Sequence, residues 1–339
     1  MKKVTALILA ILVLTIAWTT LSFGADKTFK IRFGHVAPPP HPQNKAALFF
    51  KDYVEKKSGG RISVSVHPLG QLGGEVAQAE AVTLGTQEMA SITSEVLTNF
   101  VPQMGLFSLP FFYENFEEIE RVWSGDIGYE IMGMFGERGM YCLAWSSNGF
   151  RDWANSKRLI HSPKDMKGMK LRCTEAPIYI DSYKALGLNP ITMPWPEVFS
   201  ATQQKVIDGL DLPVIALEMI KFYESTKYLT ISNGWPNSGI MTLINKAFFN
   251  RLPDDLKQVV KEGAYESARV NLAYIMVGTL SAVEKWKQNG GEVYTLTQEE
   301  LLPFREKMTP VYEKWKKIIG ADLYDRATKI VKESRKTAE

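Results

Sequence analysis

Residues 253–287 carry the tightest constraint on how this chain can fold. They read as one helix, opened by Pro253-Asp254-Asp255 and stopped at Gly290 after Asn289. At about 1.5 Å per residue such a helix reaches roughly 50 Å, enough to lie across two domains. Two domains are the expectation from chain length. The chain has 339 residues. The roughly 315 that follow its apolar N-terminus exceed one comfortable core.

The preceding sequence alternates strand and helix. Residues 31–35 alternate apolar and polar, as a strand does, before Pro38-Pro39-Pro40 breaks the chain. Residues 41–58 have helical spacing and stop at Gly59-Gly60, and 61–67 form a period-2 strand. A Gly-rich loop at 70–74 leads to a helix over 75–84, stopped by Gly85, and a short strand over 89–92. This βαβαβ order predicts a parallel sheet with helices on both faces. Strands follow at 140–145, 169–173, 228–231 and 240–244, and helices at 178–186 and 197–205. Residues 206–210 read as a strand end and turn, and helices rich in Lys and Glu run from Gln298 onward.

Met1-Lys2-Lys3, an apolar stretch and the small exit Gly24-Ala25 fit a secretory signal peptide over residues 1–25. No later segment is apolar for the ~18 residues that span a bilayer. Export to the periplasm is therefore expected. Without Lys2 and Lys3 the net charge falls from +3 to +1. Such a balance offers no argument for nucleic acid or an anionic membrane. Cys142 and Cys173 are expected to be buried free thiols.

Two arginines stand out. Arg172 lies on the strand Met169-Lys170-Leu171-Arg172-Cys173 among apolar neighbours. A guanidinium there forks onto a carboxylate, from the protein or from a ligand, because a buried unpaired charge is costly. Arg151 lies upstream and can pair with Asp152, another acid or a ligand. Trp145, Phe150, Trp153, Trp195 and Trp235 gather in the same stretches. Aromatics build cores more often than they grip ligands, and Trp195, between Pro194 and Pro196, is the best candidate for a cavity wall. Phe33 and Phe111 read as core, and Glu197 as a first-turn helix acid. His35, His41, His67 and His161 show no metal-ligand spacing, and no metal or cofactor is expected. Gly-x-Ser-x-Gly, His-Glu-x-x-His and Gly-x-Gly-x-x-Gly do not occur, so an enzyme is disfavoured.

Six motifs, in order, resemble one family. They are Gly70-Gln71-Leu72-Gly73-Gly74-Glu75, Leu84-Gly85, Leu109-Pro110-Phe111, the run from Asp165 to Arg172, Glu197-Val198-Phe199, and Asp208-Gly209. This order is similar to that of the TRAP-type solute-binding proteins, receptors of tripartite ATP-independent periplasmic transporters. The resemblance covers nearly all of the chain after its N-terminal segment. It implies a two-lobed α/β periplasmic-binding-protein fold with a ligand cleft, hinge strands and a long helix spanning both lobes. Lobe I would take 26–148 with 238–277, lobe II 149–237 with 278–330, and 331–339 would be a C-terminal tail.

By the same resemblance Arg172 is the carboxylate-binding arginine and Arg151 a second one. Glu75 matches an acid that hydrogen-bonds polar ligand groups, and His35 lies in a loop that often lends a side chain. After Asp208-Gly209 many members carry Glu-Asn, where this chain has Asp211 and Leu212. Leu212 cannot make the amide's hydrogen bond, which disfavours a highly polar sugar acid. Arg172, Arg151, Glu75, His35, Trp195, Leu212, Trp145 and Phe150 are thus the candidate ligand-binding residues. The expected ligand is a monocarboxylate with an apolar or aromatic body, a 2-oxo or 2-hydroxy acid. A C4-dicarboxylate is the alternative. The expected partners are the small and large TRAP membrane subunits, or a sensor kinase in their place, and the receptor is expected to be monomeric.

Overall fold

The computed structural model describes residues 28–338. The signal-peptide reading of residues 1–25 lies outside the described residues. Among the described residues, ten strands form two half-sheets that share one long strand. The first half runs β2 (Ile62–His67), β1 (Phe29–Gly34), β3 (Met89–Thr93), β9 (Asn237–Asn245) and β4 (Met140–Asn155). Its β2, β1 and β3 are parallel, whereas β9 is antiparallel to both β3 and β4. The second half runs β6 (Ile191–Thr192), β5 (Leu171–Cys173), β7 (Gly209–Pro213) and then β4 again, with β8 (Tyr228–Ile231) and β10 (Glu292–Thr295) beyond it.

The shared strand is the main departure from the reading of the sequence, which ends it at Trp145. Met140 to Phe150 pair with β9, and Arg151 to Asn155 pair with β7 and β8. Ser146, Ser147, Asn148 and Gly149 interrupt the apolar pattern, so periodicity alone stops early. Pairing with β9 carries the strand through them. A register shift falls between Ser147 and Gly149. Gly149 sits at φ +107°, a conformation that side chains disfavour, and an added Cβ would stand 3.3 Å from Pro213. The chain therefore bends between the half-sheets just before Arg151.

The long helix is Asp254–Gln288. Leu256, Val260 and Ala264 enter the core behind the first half-sheet, with Ile31, Phe33 and Phe50. Ile275, Ala282 and Trp286 enter the core of the second, with Leu210, Leu212 and Phe222. The helix spans both bodies, as its length allows. Gly278 allows close approach to the helix Val214–Met219, since a Cβ there would come within 2.1 Å of Ile215. Phe33 and Phe111 are buried in the core.

The C-terminus differs from the expected tail. Residues Ala321–Ala338 form one helix, and Val331 is buried. Arg335 closes on Glu118 at 2.8 Å and donates to the Phe112 carbonyl. Eight of the helix's 18 residues are charged, which hides the apolar stripe of Leu323, Ala327 and Val331 that packs inward.

Candidate functional site

A cavity of about 470 Å³, its mouth included, lies where the two half-sheets meet. The ends of parallel strands feed it, as in open α/β sheets generally. Thr93 closes β3, Leu212 lies near the end of β7, Thr174 follows β5, and Val36-Ala37-Pro38 follow β1. The helix Glu75–Leu84 contributes Glu75 and the helix Trp195–Gln203 contributes Trp195.

Arg172 is buried and lines this cavity. Its Nε and one terminal nitrogen donate to the Met193 carbonyl at 3.2 and 2.9 Å, and the other terminal nitrogen to Thr174 Oγ1 at 3.0 Å. Among the described residues no carboxylate forms an ion pair with it. A guanidinium has five N–H groups, so one N–H on each terminal nitrogen remains available. Trp195 lies beside it, the ring centroid 5.8 Å from the guanidinium carbon. Burial, and then the charge of Arg151, lower the pKa of Arg172.

Arg151 is held quite differently. Its Nε donates to Asp211 Oδ2 at 2.8 Å and a terminal nitrogen to Glu95 Oε1 at 2.8 Å. The remaining nitrogen reaches the Asp211 carbonyl at 2.6 Å and Thr174 at 3.2 Å. All three charged groups are buried. Burial opposes ionisation of Asp211, yet Arg151 and the Trp235 indole N–H hold its carboxyl below the ordinary range. Glu95 stands in the helix Ser94–Leu97 after β3, and Asp211 stands on β7. The guanidinium thus ties the two halves together across the bend in β4.

Glu75 lines the cavity, its two oxygens accepting from the Thr93 backbone N–H at 2.7 Å and hydroxyl at 3.0 Å. Burial, and then the nearby Glu95, push its carboxyl up to about 7. Leu212, Ala216, Ile220, Val36 and Ala37 form the apolar wall. Asn148 also lines the cavity, and its buried Oδ1 has no hydrogen-bond partner among the described residues.

Of the candidates read from the sequence, Arg172, Arg151, Glu75, Trp195 and Leu212 come together around this cavity. Three do not line it. His35 turns under the start of the helix Pro42–Lys57, where its Nε2 lies 3.2 Å from Asn44 Oδ1. Burial lowers its pKa to about 4, so the ring is neutral. Trp145 packs on Phe107 and Trp123 and lines a separate surface groove. Phe150 packs on Phe116 in another pocket. It precedes Arg151 on a strand, so the two side chains take opposite faces.

Several lining residues were not found from sequence: His41, Gln43, Thr93, Glu95, Asn148, Thr174 and Ser238. The strand-end rule points to Thr93 and Thr174, each at or just past the end of a strand with a parallel neighbour. Glu95 and Ser238, joined at 3.0 Å, carry no local signal because their pairing is distant in sequence.

Two lobes joined by shared strands and one long helix, with a small polar-and-apolar cavity between them, are the arrangement of a solute-binding receptor. Residues 33–318 match the family described as bacterial extracellular solute-binding protein, family 7, and the chain belongs to that family. It is 34% identical over 278 residues to a solute-binding protein of Verminephrobacter eiseniae, covering 82% of each chain. Its fold matches the sugar acid binding protein DctPAm of Advenella mimigardefordensis, solved with galactonate, at a TM-score of 0.87. That match has 29% identity and covers 91% of this chain and 99% of the other. A TRAP periplasmic solute-binding protein of Ralstonia eutropha, solved with (S)-2-acetolactate, matches at a TM-score of 0.85. It has 28% identity and the match covers 90% and 99% of the two chains. The family is one of extracytoplasmic receptors for small acids, not of enzymes.

Proposed function

We propose that this receptor binds a monocarboxylate with a largely apolar body, a 2-hydroxy or 2-oxo acid, and delivers it to TRAP membrane subunits. One observation carries the choice of one carboxylate over two. Arg172 has no carboxylate partner among the described residues, whereas Arg151 is held by both Asp211 and Glu95. A ligand carboxylate takes the two remaining terminal N–H groups of Arg172 as a bidentate pair. A second carboxylate would have to displace a buried ion pair, which is costly.

The rest of the cavity supports the same reading. Asn148 Oδ1 accepts from the hydroxyl of a 2-hydroxy acid, and Glu75 serves an adjacent polar group. Trp195, Leu212, Ala216 and Ile220 cover the body of the molecule. The relative solved with acetolactate bears an acid of this kind, and the one solved with galactonate bears a more polar acid. Leu212 favours the first. Ligand contacts on both lobes bias an open–closed equilibrium toward the closed form, which the membrane subunits receive. We take the receptor to act as a monomer.

Calorimetric titration of residues 26–339 with 2-oxo and 2-hydroxy monocarboxylates, beside succinate and malate, tests the assignment. Binding confined to the diacids would refute it.

A further inference from the structure

A second pocket, of about 640 Å³ with its mouth, lies at the bend of β4 and is separate from the Arg172 cavity. Its walls are mostly apolar: Phe116, Phe150, Val214, Ile231 and Val283 line it, beside the polar Asn233 and Thr279. Within them lies one acid that is buried and has no cation. Asp152 is 5% exposed, and its Oδ1 accepts from the Ser232 backbone N–H at 2.9 Å and more weakly from its hydroxyl. No Lys, Arg or His forms an ion pair with it among the described residues. Glu114, also in the lining, is already paired with Arg305 at 2.8 Å.

A carboxylate removed from water without a counter-charge is a costly arrangement. Burial, opposed by Ser232, accordingly pushes the Asp152 carboxyl up to about 7. A group that brings a positive charge and N–H donors relieves that cost. An apolar body on the same molecule suits the walls, where the rings of Phe116 and Phe150 pack 5.5 Å apart. We propose that this pocket is a second binding site, specific for a small organic ammonium with an apolar or aromatic body, with Asp152 as its anion.

The test is calorimetric titration of residues 26–339 with benzylamine, and with benzyl alcohol as the uncharged control. The wild type and Arg172→Ala should bind the amine alike, and both more tightly than the alcohol. Asp152→Asn keeps the shape and removes the charge, and Val283→Trp fills the pocket from the rim of the long helix. Each should weaken amine binding by about tenfold or more, with an unchanged circular dichroism spectrum. If Asp152→Asn fails to fold, Val283→Trp decides alone. Amine binding no tighter than the alcohol's, binding that survives the folded variants, or binding lost in Arg172→Ala would each overturn the proposal.

Discussion

Arg151 and Arg172 both donate to the single hydroxyl oxygen of Thr174, at 3.2 and 3.0 Å, yet their charges are balanced in opposite ways. Arg151 has two buried protein carboxylates. Arg172 has neutral oxygens only. Thr174 holds the two guanidiniums in a fixed relation, one as a tie between lobes and the other facing the cavity.

Replacing Arg172 with Ala should therefore weaken carboxylate binding by about a hundredfold or more, because the ligand anion would be desolvated without a partner. Stability should change far less. Titration calorimetry beside thermal melting separates the two effects. Retained affinity in a folded Arg172→Ala protein contradicts the role assigned.

Arg151→Met should act in the reverse order. It leaves Asp211 and Glu95 buried and unpaired, a loss on the order of 3–5 kcal/mol. Denaturant unfolding should show it. An Arg151→Met protein as stable as the wild type, with affinity alone reduced, would make Arg151 a ligand contact after all.

These two arginines also show what the sequence discloses. Both are conspicuous in it, but their difference depends on Glu95 and Asp211, which lie 56 and 60 positions from Arg151. No local pattern reports such a pairing. Residues 253–287 were legible as a helix because a cap, an apolar rhythm and a glycine stop agree. The second half of β4 was not, since Ser147, Asn148 and Gly149 look like a loop until β9 is placed beside them. Trp145 and Phe150 illustrate a further limit. Closeness in sequence to Arg151 says nothing of the face a strand residue takes, and a register shift intervenes.

Glu75 makes affinity depend on pH. Its carboxyl is pushed up to about 7, chiefly through burial. An arriving anion favours the protonated form further. Affinity for a carboxylate should thus be full below pH 7 and fall as pH rises through and above it. Glu75→Gln should flatten the profile between pH 6 and about 8. An unchanged slope in Glu75→Gln would show that another group is responsible.

Leu212→Asn should shift selectivity rather than abolish binding. It places a hydrogen-bonding amide in the apolar wall, which favours polyhydroxylated acids over branched ones by about tenfold. Competition titrations against a sugar acid read that ratio. An unaltered ratio would mean that Leu212 packs without facing the ligand.

The most direct measurement compares matched acids that differ only by a terminal methyl or a second carboxylate, 2-oxovalerate and 2-oxoglutarate, on the wild type and on Arg172→Ala. With one uncommitted guanidinium in the cavity among the described residues, the wild type should bind the monocarboxylate more tightly and the variant should bind neither. Tighter binding of the diacid by the wild type would contradict the account, because Arg151 would then have to leave Asp211 and Glu95 to receive the second carboxylate.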